Sequence, residues 1–164
     1  MINVLRVLHD TTVDGPGFRT SIYCAGCKHK CPGCHNPQSW AFGVGNDRST
    51  DDLFEEIMSD PFADVTFTGG DPFFQAEGFA ELAARIKAKS DKTIWCYTGF
   101  RYEDLLHNDA AQNLLQYIDV LVDGPFVQAL REEDLLFCGS KNQRLIDMPR
   151  SRKEGCVVLW QREE

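Results

Sequence analysis

Apolar residues along the chain fall into two rhythms. Short runs of four to six alternate with stretches in which apolar positions return every three or four residues. These are the periods of strands and of helices resting on a core. Strands are predicted over residues 3–8, 19–24, 65–68, 93–97, 120–123, 144–148 and 156–160. A first helix starts at Ser49 or Thr50, either of which can cap the opening amides, with Asp51 and Asp52 beside the positive dipole end. It ends near Asp60-Pro61. A second helix over 75–89 puts Phe79, Leu82, Ala83 and Ile86 on one stripe and turns Glu81 and Arg85 to solvent. A third stretch over 102–117 is broken near Asn108-Asp109.

Alternation of strand and helix favours a parallel sheet with right-handed crossovers, and the chain is too short for eight βα units. The expected fold is α/β, a partial (β/α) barrel or a strongly curved, mostly parallel sheet, in a single domain over 1–164. Functional groups of such sheets gather at the carboxyl ends of strands. One rim would therefore carry the cysteine loop after Cys24, Thr68-Gly69-Gly70-Asp71, Tyr97-Thr98-Gly99 and Asp123-Gly124.

Composition narrows the function. A formal net charge of -8 argues against a nucleic-acid binder, which needs clustered cations to displace counterions. Arg144, Arg150, Arg152 and Lys153 do gather late in the chain, where a solvated loop or a docking surface would explain them. No long apolar run and no N-terminal signal pattern is read, so no membrane association and a cytoplasmic location are expected. The seven cysteines are odd in number, and four crowd into residues 24–34, which is no disulfide framework. Clustered thiols in a reducing compartment point to metal or redox chemistry. Cys96 and Cys156 sit in apolar runs and read as buried structural thiols, while Cys138, beside Gly139, has no assignment.

The last three clustered cysteines, Cys27, Cys31 and Cys34, are spaced C-x3-C-x2-C. A tight loop of that spacing can hold three corners of a cubane cluster and leave its fourth iron without a protein thiolate. Spacing also permits a zinc site built from Cys24-x2-Cys27 and Cys31-x2-Cys34, or a ferredoxin-like cluster using all four thiolates. His29 and His35 flank thiolates but are read as supporting or exposed groups rather than ligands.

C-x3-C-x2-C resembles the cluster motif of the radical S-adenosylmethionine superfamily. Val13-Asp14-Gly15-Pro16-Gly17-Phe18-Arg19 and Cys34-His35-Asn36-Pro37 are similar to segments of the activating enzymes of glycyl radical enzymes. More narrowly, Asp119-Val120-Leu121-Val122-Asp123-Gly124-Pro125-Phe126 and Gly139-Ser140-Lys141-Asn142-Gln143-Arg144-Leu145-Ile146-Asp147 resemble the activases of anaerobic, class III, ribonucleotide reductase. Two departures stand out. Gly33 replaces the aromatic residue usual before the third cysteine, and Gly69-Gly70-Asp71 stands where the superfamily usually has Gly-Gly-Glu.

The resemblance implies a 4Fe-4S cluster on Cys27, Cys31 and Cys34, with S-adenosylmethionine chelated by the open iron. It implies reductive cleavage to a 5′-deoxyadenosyl radical, which makes a glycyl radical on anaerobic ribonucleoside-triphosphate reductase. Reduced flavodoxin or ferredoxin would supply the electron. Thr68, Gly69, Gly70 and Asp71 would then meet the cosubstrate ammonium, although an ordinary strand-to-helix turn is what the segment alone suggests. Asp14 would contact the incoming glycine loop. Asn36 and Trp40 would contact cosubstrate or shield the cluster, and Thr98 and Gly99, with Tyr97, would border the adenosine, although core packing also explains Trp40 and the start of a turn explains Gly99. Asp123 would bind a cation or ribose, or cap a turn. Gln143 and Arg144 would form an edge strand or meet the cosubstrate. Cys24, three residues ahead of the motif, would be an extra thiol serving cluster assembly or simple packing rather than ligation. Rival readings are an activase of another glycyl radical enzyme such as formate lyase, a small-molecule radical enzyme, and a non-catalytic zinc or iron-sulfur module.

Overall fold

The computed structural model describes residues 1–34 and 36–162, so His35 lies outside the described residues. Strands β1 (Ile2–Thr11) and β2 (Arg19–Cys24) come first, followed by β3 (Asn46–Arg48) and helix α1 (Thr50–Met58). The chain continues through β4 (Asp64–Gly69), α2 (Ala76–Lys89), β5 (Ile94–Tyr97), α3 (Tyr102–Leu105) and α4 (Asp109–Leu115). It closes with β6 (Val120–Asp123), β7 (Arg144–Asp147) and α5 (Met148–Glu154). All seven strands join one sheet in the order β3-β1-β2-β4-β5-β6-β7. The centre, β2-β4-β5-β6, is parallel, and β1, β3 and β7 run antiparallel to their neighbours. The sheet is open: its edge strands β3 and β7 stand at opposite ends.

Strand alternation splits the interior into two layers. Ile22, Val65, Phe67, Ile94, Cys96, Leu121 and Ile146 face the helices and pack with Leu53 and Ile57 of α1, the Phe79, Leu82, Ala83 and Ile86 stripe of α2, and Leu114 of α4. Trp95, Val120 and Val122 form a smaller cluster with Tyr97, Phe137, Cys138, Leu145 and Trp160. Helix starts follow their caps. Ser49 Oγ accepts the Asp52 amide at 3.0 Å, and Asn108 Oδ1 accepts that of Ala111 at 2.9 Å, which is the break expected within the third helical stretch.

Three expectations are corrected. Residues 156–160 form no strand: Leu159 makes an isolated bridge to Ile146, because β7 ends at Asp147 and the chain meets its outer edge only in passing. Asp147 instead caps α5, accepting the Arg150 amide at 3.1 Å, and Gly155 ends that helix at φ 71. Arg150, Arg152 and Lys153 thus lie on a helix rather than in a loop. Cys156 is exposed rather than buried. The polar edge strand β3 carried no apolar alternation to reveal it.

Candidate active site

Parallel register brings the carboxyl ends of the central strands level: Cys24 pairs with Gly69, Phe67 with Cys96, and Tyr97 with Val122. Beyond these ends lies a cavity of about 610 Å³. Cys27, Cys31 and Cys34 line it together with Asn36. Thr68, Gly69, Gly70, Thr98 and Gly99 also line it, and so does Asp14.

The cysteine loop is shaped by backbone contacts. Gly26 turns at φ 106; its amide donates to Ser39 O at 2.7 Å, and the Cys27 amide donates to Trp40 O at 3.1 Å. The loop after β4 passes so close that the Gly70 amide donates to Cys24 O at 2.7 Å and the Asp71 amide to Gly26 O at 2.9 Å. A Cβ on Gly69 would lie 2.3 Å from Cys24 N, and one on Gly70 would lie 2.6 Å from Gly26 O. The glycine pair therefore exists to let two loops touch through their backbones.

Cys27, Cys31 and Cys34 are free and half-buried. Burial pushes the Cys27 thiol up, opposed by hydrogen bonds from the backbone of His29 and Lys30. The Cys34 amide donates to Cys31 O at 3.1 Å, and the Asn36 amide approaches Cys34 Sγ at 3.4 Å. Cys24 is fully buried in the helix-side core, and burial pushes its thiol far up. As the side chains stand, no three His, Cys, Asp or Glu among the described residues are arranged to hold a metal ion. The donor set nevertheless suits a three-thiolate cluster better than four-thiolate zinc: three thiols share one cavity, and the fourth is committed to the core. Two buried polar atoms close after the cysteines in sequence, Asn36 Oδ1 and Trp40 Nε1, have no hydrogen-bond partner among the described residues. A bound group there would give the cavity-lining Asn36 a partner.

Three expected site residues do not line this cavity. Asp71 turns inward, 1% exposed, and spends both carboxylate oxygens on the protein. Oδ1 accepts the Phe73 amide at 3.0 Å, while Oδ2 accepts Thr98 Oγ1 at 2.8 Å, the Gly99 amide at 2.9 Å and His29 Nε2 at 2.7 Å. Trp40 is half-buried and meets the cysteine loop through its backbone, accepting the Cys27 amide. Asp123 is buried and bound by Arg144, Nε to Oδ1 at 3.0 Å and Nη2 to Oδ2 at 2.5 Å, while the Tyr102 amide donates to Oδ2 at 2.8 Å. Arg144 also grips Glu103 through both terminal nitrogens. These bonds to Asp123 and then Glu103 raise the Arg144 pKa, and the bond from Arg144 lowers that of Glu103. The group borders a separate cavity of about 360 Å³.

Other lining residues had no assigned role in the sequence. Tyr23 donates to Asp14 Oδ2 at 2.6 Å, and Arg6 lies over its ring at 4.5 Å. Burial and the bond to Asp14 push the Tyr23 phenol up. Both tyrosine and arginine sit in strands that read as plain alternation. Cys138 also lines the cavity. Gln143, expected in an edge strand or at the cosubstrate, stands one residue ahead of β7 and braces the cavity, accepting the Gly139 amide at 2.8 Å and donating to Gly124 O at 3.1 Å.

Residues 13–146 match the family model described as "4Fe-4S single cluster domain". The anaerobic ribonucleoside-triphosphate reductase-activating protein of Vibrio cholerae is 38% identical over 140 residues, 80% of this chain and 88% of its own. This chain belongs to that family of activating proteins. The Haemophilus influenzae member is 34% identical over 152 residues, covering 87% of this chain and 96% of its own. The member from Enterobacteria phage T4 is 33% identical over 150 residues, covering 88% and 93%. The family match supports an iron-sulfur cofactor, and its span contains the three cysteines, Asp14, Asn36 and both glycine-bearing loops of the cavity. Among the described residues no helix is long and apolar enough to cross a membrane.

Proposed function

We propose that this protein is a radical S-adenosylmethionine activase that installs a glycyl radical on anaerobic ribonucleoside-triphosphate reductase. The observation that carries the reading is the meeting of three free C-x3-C-x2-C thiols with the glycine-pair loop around one cavity. Names of the curated relatives favour this reductase over formate lyase as the target. On this reading the sheet is a partial barrel of the radical-enzyme type, 1–164 is one domain, and the protein works in the cytoplasm with reduced flavodoxin or ferredoxin as donor.

Cys27, Cys31 and Cys34 would hold a 4Fe-4S cluster, and the N–H groups near Cys27 and Cys34 would stabilise their thiolate charge. Held there with one iron open, such a cluster would supply the electron for reductive cleavage of S-adenosylmethionine. The residues of the chain bind and orient. Backbone carbonyls of Thr68, Gly69 and Gly70 receive the cosubstrate ammonium, with Asp71 acting behind them. Thr98 and Gly99 border the adenosine. Asn36 meets the cosubstrate, and Trp40 shields the loop from water. Asp123, neutralised by Arg144, supports the rim rather than holding a cation. Asp14, steadied by Tyr23, meets the peptide carrying the target glycine.

The test is anaerobic reconstitution followed by incubation with S-adenosylmethionine, a reductant and the anaerobic reductase. About four irons per chain, released deoxyadenosine and a glycyl radical signal in electron paramagnetic resonance are expected. One zinc per chain, or no deoxyadenosine, would sink the reading.

A further inference from the structure

Asp71 collects bonds from three loops. Its own loop supplies the Phe73 amide, the loop after β5 supplies Thr98 Oγ1 and the Gly99 amide, and the cysteine loop supplies His29. The carboxylate is 1% exposed and His29 16% exposed, so the pair is shielded from solvent competition. Hydrogen bonds to a charged partner are among the stronger ones proteins make.

Packing fixes the imidazole in the same place. Its ring meets Phe100 edge-on at 4.5 Å and Phe74 at 5.5 Å, aromatic partners from the other two loops. A Cβ on Gly99 would lie 2.6 Å from the His29 ring, so the absence of a side chain there makes room for the imidazole. His29 sits between Cys27 and Cys31, flanked by the exposed Lys28 and Lys30, and is the inward-held residue of that span. It also lines the main cavity.

We propose that His29 is a positioning residue: by binding Asp71 it clamps the cysteine loop onto the Gly69-Gly70 and Thr98-Gly99 loops and holds the cluster in register with the cosubstrate site. The proposal rests on the radical S-adenosylmethionine reading for its second half. The clamp itself belongs to the bare chain. An Asp in this position, with its short side chain turned inward, serves the clamp and leaves ammonium recognition to backbone carbonyls. His29 is then no ligand: it acts through Asp71.

Three variants separate the contributions. His29→Gln places an amide N–H near the position of Nε2, His29→Asn falls short of Asp71, and His29→Phe keeps a ring against Phe74 and Phe100 without a donor. Two readouts are needed. On the iron-free chain, limited trypsin cleavage after Lys28 and Lys30 should be as slow in His29→Gln as in wild type. It should be about tenfold faster in His29→Asn and His29→Phe, as a loss of roughly 1.4 kcal/mol would give. On the reconstituted proteins, iron content should be equal. The S-adenosylmethionine concentration that half-shifts the reduced cluster's paramagnetic spectrum should rise about tenfold in Asn and Phe, and stay near wild type in Gln. Unchanged trypsin rates overturn the clamp, whatever the cosubstrate does. Faster cleavage with an unchanged half-shift overturns the positioning role. Lost iron in His29→Phe overturns it in favour of ligation. A wild-type spectrum indifferent to S-adenosylmethionine overturns the proposed function, and the positioning role with it, while the trypsin result still decides the clamp.

Discussion

Cys24 and Cys27 are three residues apart and have opposite environments. Cys24 ends β2 inside the helix-side core, whereas Cys27 opens onto the cavity. Motif spacing separates them only by analogy, and burial separates them physically. Cys24→Ala should therefore keep the cluster's absorbance and iron content while lowering stability by about 1–2 kcal/mol, read from a denaturant midpoint. Loss of the cluster in that variant would return Cys24 to the ligand set. Asp71 shows the converse. Its sequence position at a strand end marks it as a site residue, but only the folded loops reveal that it faces inward and is fully bonded. Tyr23 and Arg6 carried no signal at all, since any strand residue of alternating pattern looks the same before its neighbours are known.

At the scale of elements, Arg144 ties β7 to β6 through Asp123 and to α3 through Glu103. The Glu103 pKa is lowered in the folded chain, so the bond stabilises fully above the ordinary glutamate range and is lost as pH falls through the lower folded value. Wild type should lose stability on acidification below about pH 4.5 more steeply than Glu103→Gln, measured by thermal midpoints across that range. Because Glu103 is largely exposed, the difference should be small, a few tenths of a kcal/mol at most, as for other exposed pairs. Equal slopes would mean the bond is not kept in solution. Buried Arg19 plays a related part deeper in the sheet. It joins the turn after Asp14 to β4 and to the start of β5 by donating to Pro16 O, Val65 O and Thr93 O. Burial lowers its pKa to about 10. The element boundaries at Ser49 and Asn108 were legible because their caps are local chemistry. Strand β3 and helix α5 were not, because neither shows an apolar period long enough to read.

For the whole molecule, the cavity stands at one end of a sheet whose core contains none of the three candidate ligands. Removing the cluster should leave the fold standing. The iron-free chain should keep its far-ultraviolet circular dichroism and a cooperative melt, with a lower midpoint because the cluster binds the folded state alone. A non-cooperative melt after chelation would make the cluster a structural keystone. The sequence by itself determined the alternation of strands and helices, the apolar stripe of α2, the helix caps and the cysteine spacing, all set by neighbours within a few residues. Tertiary structure decided which rim residues face the cavity, which thiol is withdrawn into the core, and that Asp71 serves three loops at once. Those outcomes depend on contacts between segments far apart in the chain, such as His29 with Asp71 and Asp123 with Arg144, which no local pattern encodes.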